Sequence, residues 1–177
     1  MLENIILNAA VLKNMQPACG PKTRAIISGV YIEDAPEGRF YVATNGTTLV
    51  VFKDTSAEGQ QLHNPIVLRL LGKITEHFPL SLRVIEERQV VLINKMEIVP
   101  GELIEEGKFP DWRALLPKKI ERAKNYSFVS PRDLALAAKF VNINDIPADT
   151  GKALYWREEL WEVLVLKRNE NSGSEKK

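Results

Sequence analysis

The dipeptide Asn45-Gly46 constrains this fold more than any other feature of the sequence, because it separates two runs rich in β-branched and aromatic residues. Both residues tolerate positive φ, and Asn-Gly is the strongest short-range signal for a tight β-hairpin. The two runs, residues 40–44 and 47–53, are therefore predicted to pair as antiparallel strands. The chain must fold around at least this one antiparallel hairpin.

Further strand signals, interrupted by turn residues, recur along the chain. Three helices are predicted among them: one capped by Asn8, one over residues 69–78, where apolar residues have helical spacing, and one beginning at Ser130. The order of elements is β-α-β-β-β twice, followed by a linker and β-α-β-β. This order is typical of the α+β class, with the helices on one face of antiparallel sheets. The further strands are predicted at residues 5–7, 25–32, 65–68, 82–85, 89–93, 96–104, 126–129, 153–157 and 161–166.

Composition excludes several classes of protein. The 177 residues carry 24 Lys and Arg against 23 Asp and Glu, so the net charge is +1 and any contact with nucleic acid must come from a local patch. A single cysteine excludes an internal disulfide, and together with two histidines it is too few for the usual structural zinc site. We therefore expect no metal and no cofactor. No apolar run reaches the ~20 residues of a membrane span, and the N-terminus has no signal-peptide pattern, so the expected compartment is the cytoplasm.

Catalytic motifs are also scarce. The sequence contains no Gly-x-x-x-x-Gly-Lys-Ser/Thr, Gly-x-Ser-x-Gly or His-Glu-x-x-His motif. The adjacent pairs Glu86-Glu87 and Glu105-Glu106 would point to opposite faces of a strand, so they do not form a carboxylate dyad. The sequence favours a protein that binds over one that catalyses.

Two segments carry more specific information. Residues 43–49 are Ala-Thr-Asn-Gly-Thr-Thr-Leu, and residues 106–117 are Glu-Gly-Lys-Phe-Pro-Asp-Trp-Arg-Ala-Leu-Leu-Pro. The first is similar to an Ala-Thr-Asp-Gly-His-Arg-Leu hairpin of the bacterial sliding clamp, the beta subunit of DNA polymerase III. The second resembles the Gly-Arg-Phe-Pro-Asp-Tyr-Arg-Arg-Val-Leu-Pro segment of that family, and both belong to its middle domain in the same order. The chain departs from the family at Asn45, Thr47, Thr48, Trp112 and Ala114.

The resemblance implies a shortened, DNA-clamp-like α+β fold with curved antiparallel sheets and helices on one face. A full clamp subunit has three such domains. This chain has room for one domain of the middle type, residues 1–117, and a partial second unit of β-α-β-β, residues 118–168. Residues 169–177 are polar and charged with no apolar anchor, and we expect them to form a disordered tail.

Sliding clamps perform no covalent chemistry: they hold DNA inside a ring and offer an apolar groove to peptides of polymerases. A few aliphatic side chains beside a rigid proline can form a preformed slot for an apolar anchor. The alternative is that the aliphatic residues are simply core, as such side chains usually are. By resemblance, the groove residues are Thr44, Gly46, Leu49, Pro110 and Leu115 on one wall and, from the C-terminal strand, Val163 and Val165 on the other.

Basic residues on the predicted helices and on the linker are the candidates for contact with DNA. Arg132 and Lys139 lie seven residues apart and so share one helix face. The alternative is a solvated basic surface, because a few Lys and Arg residues give only weak, salt-sensitive DNA binding. The full set of candidates is Lys13, Arg69, Lys73, Lys118, Lys119, Arg122, Arg132 and Lys139.

The first hypothesis is therefore a non-enzymatic, clamp-like protein of DNA replication or repair. It would bind DNA weakly and non-specifically, dock polymerase-type or clamp-loader-type proteins, and form a homo-oligomer, since one and a half domains cannot close around a duplex. The second is a monomeric or regulatory clamp paralogue of phage-like type. It would act as a protein-interaction module without encircling DNA. The third, an enzyme, would need an activity that the motifs do not indicate. The oligomeric mass in solution and the retention of the protein on circular DNA distinguish the first hypothesis from the second.

Overall fold

The computed structural model describes residues 5–57, 59–75, 77–117, 129–143, 147–149 and 153–167. Within these residues, eleven strands form one antiparallel sheet, accompanied by three short α-helices. The helices are α1 (Ala9–Met15), α2 (Trp112–Leu115) and α3 (Pro131–Ala137). The strands are β1 (Ile5–Leu7), β2 (Val30–Ala35), β3 (Gly38–Thr44), β4 (Thr48–Asp54), β5 (Ile66–Leu70), β6 (Leu80–Glu86), β7 (Gln89–Ile93), β8 (Ile98–Leu103), β9 (Ala148–Asp149), β10 (Ala153–Arg157) and β11 (Trp161–Leu166).

The predicted Asn-Gly hairpin is confirmed as the connection between β3 and β4. Thr44 pairs with Leu49 at its base, and Gly46 has a φ of +95°. The Asn45 side-chain oxygen accepts hydrogen bonds from the backbone N–H groups of Thr47 and Thr48, at 2.9 and 2.8 Å. The side chain of Asn45 therefore closes the turn in the way expected of a turn asparagine.

The strand order is β1-β6-β7-β8-β5-β2-β3-β4-β11-β10-β9. The first strand of each repeated unit pairs with the second strand of the other, β1 with β6 and β5 with β2. The four-strand order of the two predicted units is therefore present, but the second unit lacks the helix that the sequence predicts between its first two strands. The strands after residue 117 extend the same sheet, because β11 pairs with β4. The boundary between the two units at residue 117 stays a prediction.

Helices α1 and α3 lie on the same face of the sheet, which we call the helix face. Leu12 and Met15 of α1 and Ala137 of α3 share one hydrophobic cluster with inward-facing strand residues such as Val50. A second cluster on the opposite, outer face is covered by residues 104–117. The predicted α+β arrangement with helices on one face is confirmed for these two helices, whereas α2 belongs to the outer face.

The predicted helix over residues 69–78 is wrong. Strand β5 continues to Leu70, and the described residues from 71 to 79 form no helix. Leu71 and Phe78 are 54% and 59% exposed, so the apolar residues at helical spacing do not form a buried stripe. The Leu71 N–H instead donates to the carbonyl of Pro100, at 2.9 Å, which keeps this segment beside β8.

The remaining elements follow the sequence closely, with two differences. Asn8 caps α1, and the C-terminal hairpin has the predicted bounds. Helix α3 begins after Ser130 as predicted, although the Ser130 side chain makes no capping hydrogen bond. The predicted strand over 25–32 begins only at Val30, because Ala25–Ile27 form a 3-10 turn. The predicted strand at 126–129 and the tail at 169–177 lie outside the described residues, except for Val129, which is not in a strand.

A buried ion pair fixes the end of β1 against the β2–β3 turn. The Arg39 guanidinium, 2% exposed, donates to both oxygens of Asp34, at 2.6 and 2.8 Å, and to the carbonyls of Ile6 and Gln60. Burial alone would raise the pKa of the Asp34 carboxyl, but the hydrogen bonds from Arg39 and from the backbone N–H of Leu62 hold it below its ordinary value. Each polar atom of this pair is satisfied, as a buried pair requires.

None of the helices in the described part of the chain is long and apolar enough to cross a membrane.

Candidate peptide groove and DNA-facing surface

The turn of the β3–β4 hairpin lies against the first turn of α3. The hydroxyls of Thr47 and Thr48 both donate to one carboxylate oxygen of Asp133, at 3.1 and 3.3 Å. Asp133 is only 9% exposed, so its charge is directed at the hairpin and away from solvent. These hydrogen bonds join the hairpin to α3, and they involve two positions at which the sequence departs from the segment that it resembles.

The hairpin supplies three of the predicted groove residues. The Thr44 hydroxyl donates to the carbonyl of Thr48 at 2.8 Å and accepts from the N–H of Gly46 at 3.1 Å, so its polar atoms serve the turn. Leu49 is 3% exposed and belongs to the outer-face cluster. Gly46 is exposed. Of these three residues, only Gly46 is at the surface, whereas Thr44 and Leu49 are buried.

Residues 104–117 pack across the outer face of β2 and β3. Trp112, 5% exposed, contacts Phe40 with ring centroids 5.3 Å apart, and its indole N–H has no hydrogen-bond partner among the described residues. Arg113 lies over both rings, at 4.1 Å from Trp112 and 5.1 Å from Phe40, and forms an ion pair with Glu33. Asp111 begins α2 by accepting from the N–H of Ala114. Aromatic stacking and cation–π contacts therefore hold this segment on the sheet.

A second aromatic pair anchors the start of the same segment. Phe109 stacks on Tyr31 with ring centroids 4.6 Å apart, and the Tyr31 hydroxyl donates to Glu33 at 2.8 Å. Burial first, and this hydrogen bond second, raise the pKa of Tyr31. Between the two anchors, Pro110 is exposed, and Leu115 near the end of the segment is 50% exposed. Pro110 and Leu115 are thus available to solvent on a firmly held segment.

The C-terminal strand is divided between the two faces of the sheet. Leu164 pairs directly with Leu49, so both lie on the outer face, in the same cluster as Trp112. Val163 and Val165 pair with Val50 and Thr48 and are fully buried on the helix face. The structure therefore brings Thr44, Leu49, Pro110 and Leu115 to one side but leaves Val163 and Val165 on the other.

Leu164 is the residue that the sequence analysis missed on the outer face. The sequence holds no signal that singles it out, because Val163, Leu164 and Val165 are all apolar and the pattern does not say which of them faces outward. Tyr155, opposite Leu164 on β10, is also buried in this cluster. Burial first, and the nearby Glu162 carboxylate second, raise the pKa of Tyr155.

The basic candidates are distributed over several elements. Lys13 of α1 is half-buried and donates to the carbonyl of Thr75 at 3.0 Å, whereas Arg132 of α3 and Lys139 are exposed. Arg132 and Lys139 do not share a helix face as predicted, because α3 ends at Ala137 and Lys139 lies in the turn that follows. The two helices share one face of the sheet, so these residues belong to the same side of the molecule. Lys118, Lys119 and Arg122 lie outside the described residues.

Arg69 and Lys73 do not share a helix, because Arg69 belongs to β5. The Arg69 guanidinium donates to the Ser28 hydroxyl, at 2.6 and 2.9 Å, and to Glu102 at 3.1 Å, so it is already engaged by the protein. Lys73 is exposed and lines a cavity of about 350 Å³ together with Lys22, which the sequence analysis did not single out. Lys22 precedes the 3-10 turn and carries no periodic signal.

Within the described ranges, no three His, Cys, Asp or Glu side chains are placed to hold a metal ion. Burial raises the pKa of the Cys19 thiol to about 12, so the reactive thiolate is scarce at neutral pH.

Comparison with solved structures shows the fold of bacterial sliding clamps. The DNA polymerase III subunit beta from Borrelia burgdorferi, solved in complex with a natural product, superposes with a TM-score of 0.66 at 10% identity, over 94% of this chain and 64% of that one. The sliding clamp from Bartonella birtlesii, solved bound to griselimycin, gives 0.65 at 12% identity, over 94% and 66%. The beta subunit from Thermotoga maritima gives 0.64 at 11% identity, over 94% and 65%.

No protein-family model matches the sequence, and no curated protein matches it either. The chain therefore has a shortened clamp-like fold and spans about two thirds of the length of the solved clamps that it matches.

Proposed function

We propose that this chain is a non-enzymatic, clamp-like binding module of DNA replication or repair. The observation that carries the proposal is that the two segments resembling the clamp, residues 43–49 and 106–117, meet on one face of a clamp-like sheet. Leu49 of the first segment and Phe109 and Trp112 of the second share the outer-face cluster. Their contact supports a common binding function for the two segments, because the resemblance assigns both to one peptide groove.

The proposed groove lies on the outer face and takes apolar peptides of polymerase or clamp-loader type. Its exposed rim consists of Gly46, Pro110 and Leu115, above a floor to which Leu49 and Leu164 contribute. A rigid proline and a half-exposed leucine next to buried aliphatic side chains suit an apolar anchor residue. Val163 and Val165 are left out of this groove because they lie on the helix face.

Peptide binding by this groove is tested with Leu115→Asp. A charge at a half-exposed wall position should weaken binding of a clamp-binding peptide from a polymerase by about ten-fold or more, measured by fluorescence anisotropy. The matched control is Leu71→Asp, because Leu71 is 54% exposed against 50% for Leu115 and lies beside β8. Equal affinities of the wild type and Leu115→Asp, with the fold intact by circular dichroism, would contradict the groove.

The proposed DNA surface lies on the helix face and includes Lys13, Arg132 and Lys139. Such a sparse set of positive charges gives weak, non-specific and salt-sensitive contact, which suits a protein that holds DNA by enclosure. Enclosure requires a homo-oligomer, whose copies would meet at the ends of the sheet; among the described strands these are β1, which is bridged to Gly59 through Ile5, and β9. A role on DNA also agrees with the expected cytoplasmic compartment.

The second candidate is a clamp-like interaction module that docks peptides without enclosing DNA. It is favoured by the engagement of two basic candidates within the chain: Lys13 donates to the carbonyl of Thr75, and Arg69 donates to Ser28 and Glu102. It predicts the same effect of Leu115→Asp but no preference for circular over linear DNA.

A further inference from the structure

Two segments of the chain carry basic residues and no acidic ones. Residues 5–32 and 59–75 contain neither Asp nor Glu, although the whole chain has almost equal numbers of acidic and basic residues. Their basic residues are Lys13, Lys22, Arg24, Arg69 and Lys73. Such an asymmetry within a nearly neutral chain produces a local positive potential where the two segments meet.

The two segments meet at the end of α1. The Gln16 side-chain amide donates to the carbonyl of Gly72 at 3.5 Å, which joins the first segment to the second. The Gly20 N–H donates to the carbonyl of Ile27 at 2.7 Å, and this bond closes the loop that carries Lys22. The cavity of about 350 Å³ described above lies between the segments, and its volume is within the range of small-molecule sites.

The lining of this cavity is basic. Lys22, Arg69 and Lys73 contribute to it, and the described residues that line it include no Asp or Glu. We call it the basic cavity. Lys22 and Lys73 are exposed, and neither forms an ion pair with any described residue. Their charges are therefore available to a ligand.

Arg69 is the fixed cation of the basic cavity, because hydrogen bonds hold its guanidinium in place. Its Nε and Nη2 donate to the Ser28 hydroxyl at 2.9 and 2.6 Å, and its Nη1 donates to Glu102 at 3.1 Å. Ser28 is only 8% exposed and donates in turn to the carbonyl of Ala25 at 2.6 Å. These bonds use three of the five guanidinium N–H groups, so two are left unengaged by the described residues. A guanidinium held in this way loses little freedom when it binds a ligand.

The charge of the basic cavity selects the class of ligand. Glu102 compensates Arg69, but it leaves the charges of Lys22 and Lys73 uncompensated. Glu97, close to Lys73 in the fold, accepts hydrogen bonds from the N–H and hydroxyl of Thr75 and does not line the cavity. A phosphate group suits two ammonium groups and a fixed guanidinium better than a carboxylate does, because it carries more acceptor oxygens and up to two negative charges.

We propose that the basic cavity binds a phosphate group, with Arg69 as the fixed donor and the flexible side chains of Lys22 and Lys73 as the other two. The group belongs either to a free nucleotide or to the backbone of a DNA strand, since both present a tetrahedral phosphorus with charged oxygens. The site goes beyond the proposed function, because the basic cavity belongs neither to the groove nor to the residues proposed for the DNA surface.

Titration of the full, ¹⁵N-labelled chain with inorganic phosphate, followed by amide NMR at constant ionic strength, tests the site. We expect saturable shifts of the Gly20, Gly29 and Gly72 amides, which line the cavity. The double variant Lys22→Gln/Lys73→Gln should raise the dissociation constant by about ten-fold or more, since it removes two positive charges.

The matched control for the phosphate titration is Lys95→Gln, because Lys95 is exposed in the β7–β8 turn and does not line the cavity. It should bind phosphate as the wild type does. All three lysines are exposed, so we expect every variant to keep the circular dichroism spectrum of the wild type. The absence of saturable shifts in the wild type overturns the proposal, and so does an equal loss of affinity in the double variant and the control. Neither result bears on peptide docking or on DNA enclosure, because the assay contains no peptide and no DNA.

Two further probes distinguish the sources of the phosphate group. Thymidine 5′-monophosphate presents a free phosphate, whereas a short duplex with 5′-hydroxyl ends presents only backbone phosphates. Weaker binding of the nucleotide alone by Lys22→Gln/Lys73→Gln assigns the site to a free nucleotide, and a similar loss for the duplex assigns it to the DNA backbone. Unchanged affinity of the double variant for both probes would overturn the phosphate site.

Discussion

Gly46 shows how one residue determines the turn that the rest of the hairpin depends on. Its φ of +95° is a conformation that L side chains rarely adopt, so a Cβ there introduces backbone strain. We expect Gly46→Ala to lower the free energy of unfolding by about 1 kcal/mol, measured by urea denaturation. Gly46→Asn should lose less, because asparagine tolerates positive φ better than alanine. Equal losses for the two variants would count against backbone strain as the cause.

Arg39 and Asp34 show how the stability of the fold depends on each partner of a buried ion pair. Removing one partner leaves the other uncompensated, so Asp34→Asn should cost about 3–5 kcal/mol of unfolding free energy at pH 7. The pKa of Asp34 is lowered in the folded state, so its stabilising contribution is complete above the ordinary carboxyl value of 3.8 and is lost as the pH falls through the folded value. The difference between the wild type and Asp34→Asn should therefore be constant from about pH 7 to 5 and shrink below about pH 4.

Urea denaturation across this pH range checks the ion-pair prediction. Glu37→Gln is a suitable control, since Glu37 is an exposed carboxylate in the same β2–β3 turn. A difference between the wild type and Asp34→Asn that grows as the pH falls would contradict the assigned direction.

At the scale of elements, α3 and the β3–β4 hairpin are joined by Asp133 and Thr48. Thr48 is 1% exposed and donates to the Asp133 carboxylate, so Thr48→Val leaves that oxygen without one of its donors. A double-mutant cycle with Thr48→Val and Asp133→Ala should give a coupling energy of about 1 kcal/mol by urea denaturation. Additive effects of the two substitutions would show that the Thr48–Asp133 hydrogen bond does not contribute to holding the helix and the hairpin together.

The elements that could be predicted from the sequence are those with local signals. Asn45-Gly46 closes its own turn through side-chain hydrogen bonds, and Asn8 caps α1 within one helical turn. The helix predicted over 69–78 failed because helical spacing reports burial only if the apolar residues face a core, and Leu71 and Phe78 do not. The exchange of β1 and β5 between units joins residues far apart in the chain, which no local pattern encodes.

The sequence also predicted part of the candidate site, namely that its two segments are neighbours. The resemblance predicts that residues 43–49 and 106–117 are neighbours, and Leu49 of the first segment and Trp112 of the second lie in one cluster. The faces of Val163 and Val165 could not be predicted, because β11 is buried on both sides and its apolar run has no alternation.

At the scale of the whole molecule, the sheet separates two surfaces: the helix face, with the proposed DNA surface, and the outer face, with the proposed groove. The separation means that each proposed contact can be removed without touching the other.

DNA enclosure itself is tested by comparing one plasmid in nicked circular and linear form. A closed oligomer should dissociate more slowly from the circle than from linear DNA of the same sequence, because release from the circle requires the ring to open. The double variant Arg132→Glu/Lys139→Glu should weaken binding to both forms without changing the oligomeric mass, since it reverses two exposed charges on the helix face. Lys108→Glu, on the segment that covers the outer face, is the matched control and should bind as the wild type does. Equal dissociation rates from circular and linear DNA would favour the interaction module. A protein that binds only the surface of DNA can leave either form without passing a DNA end.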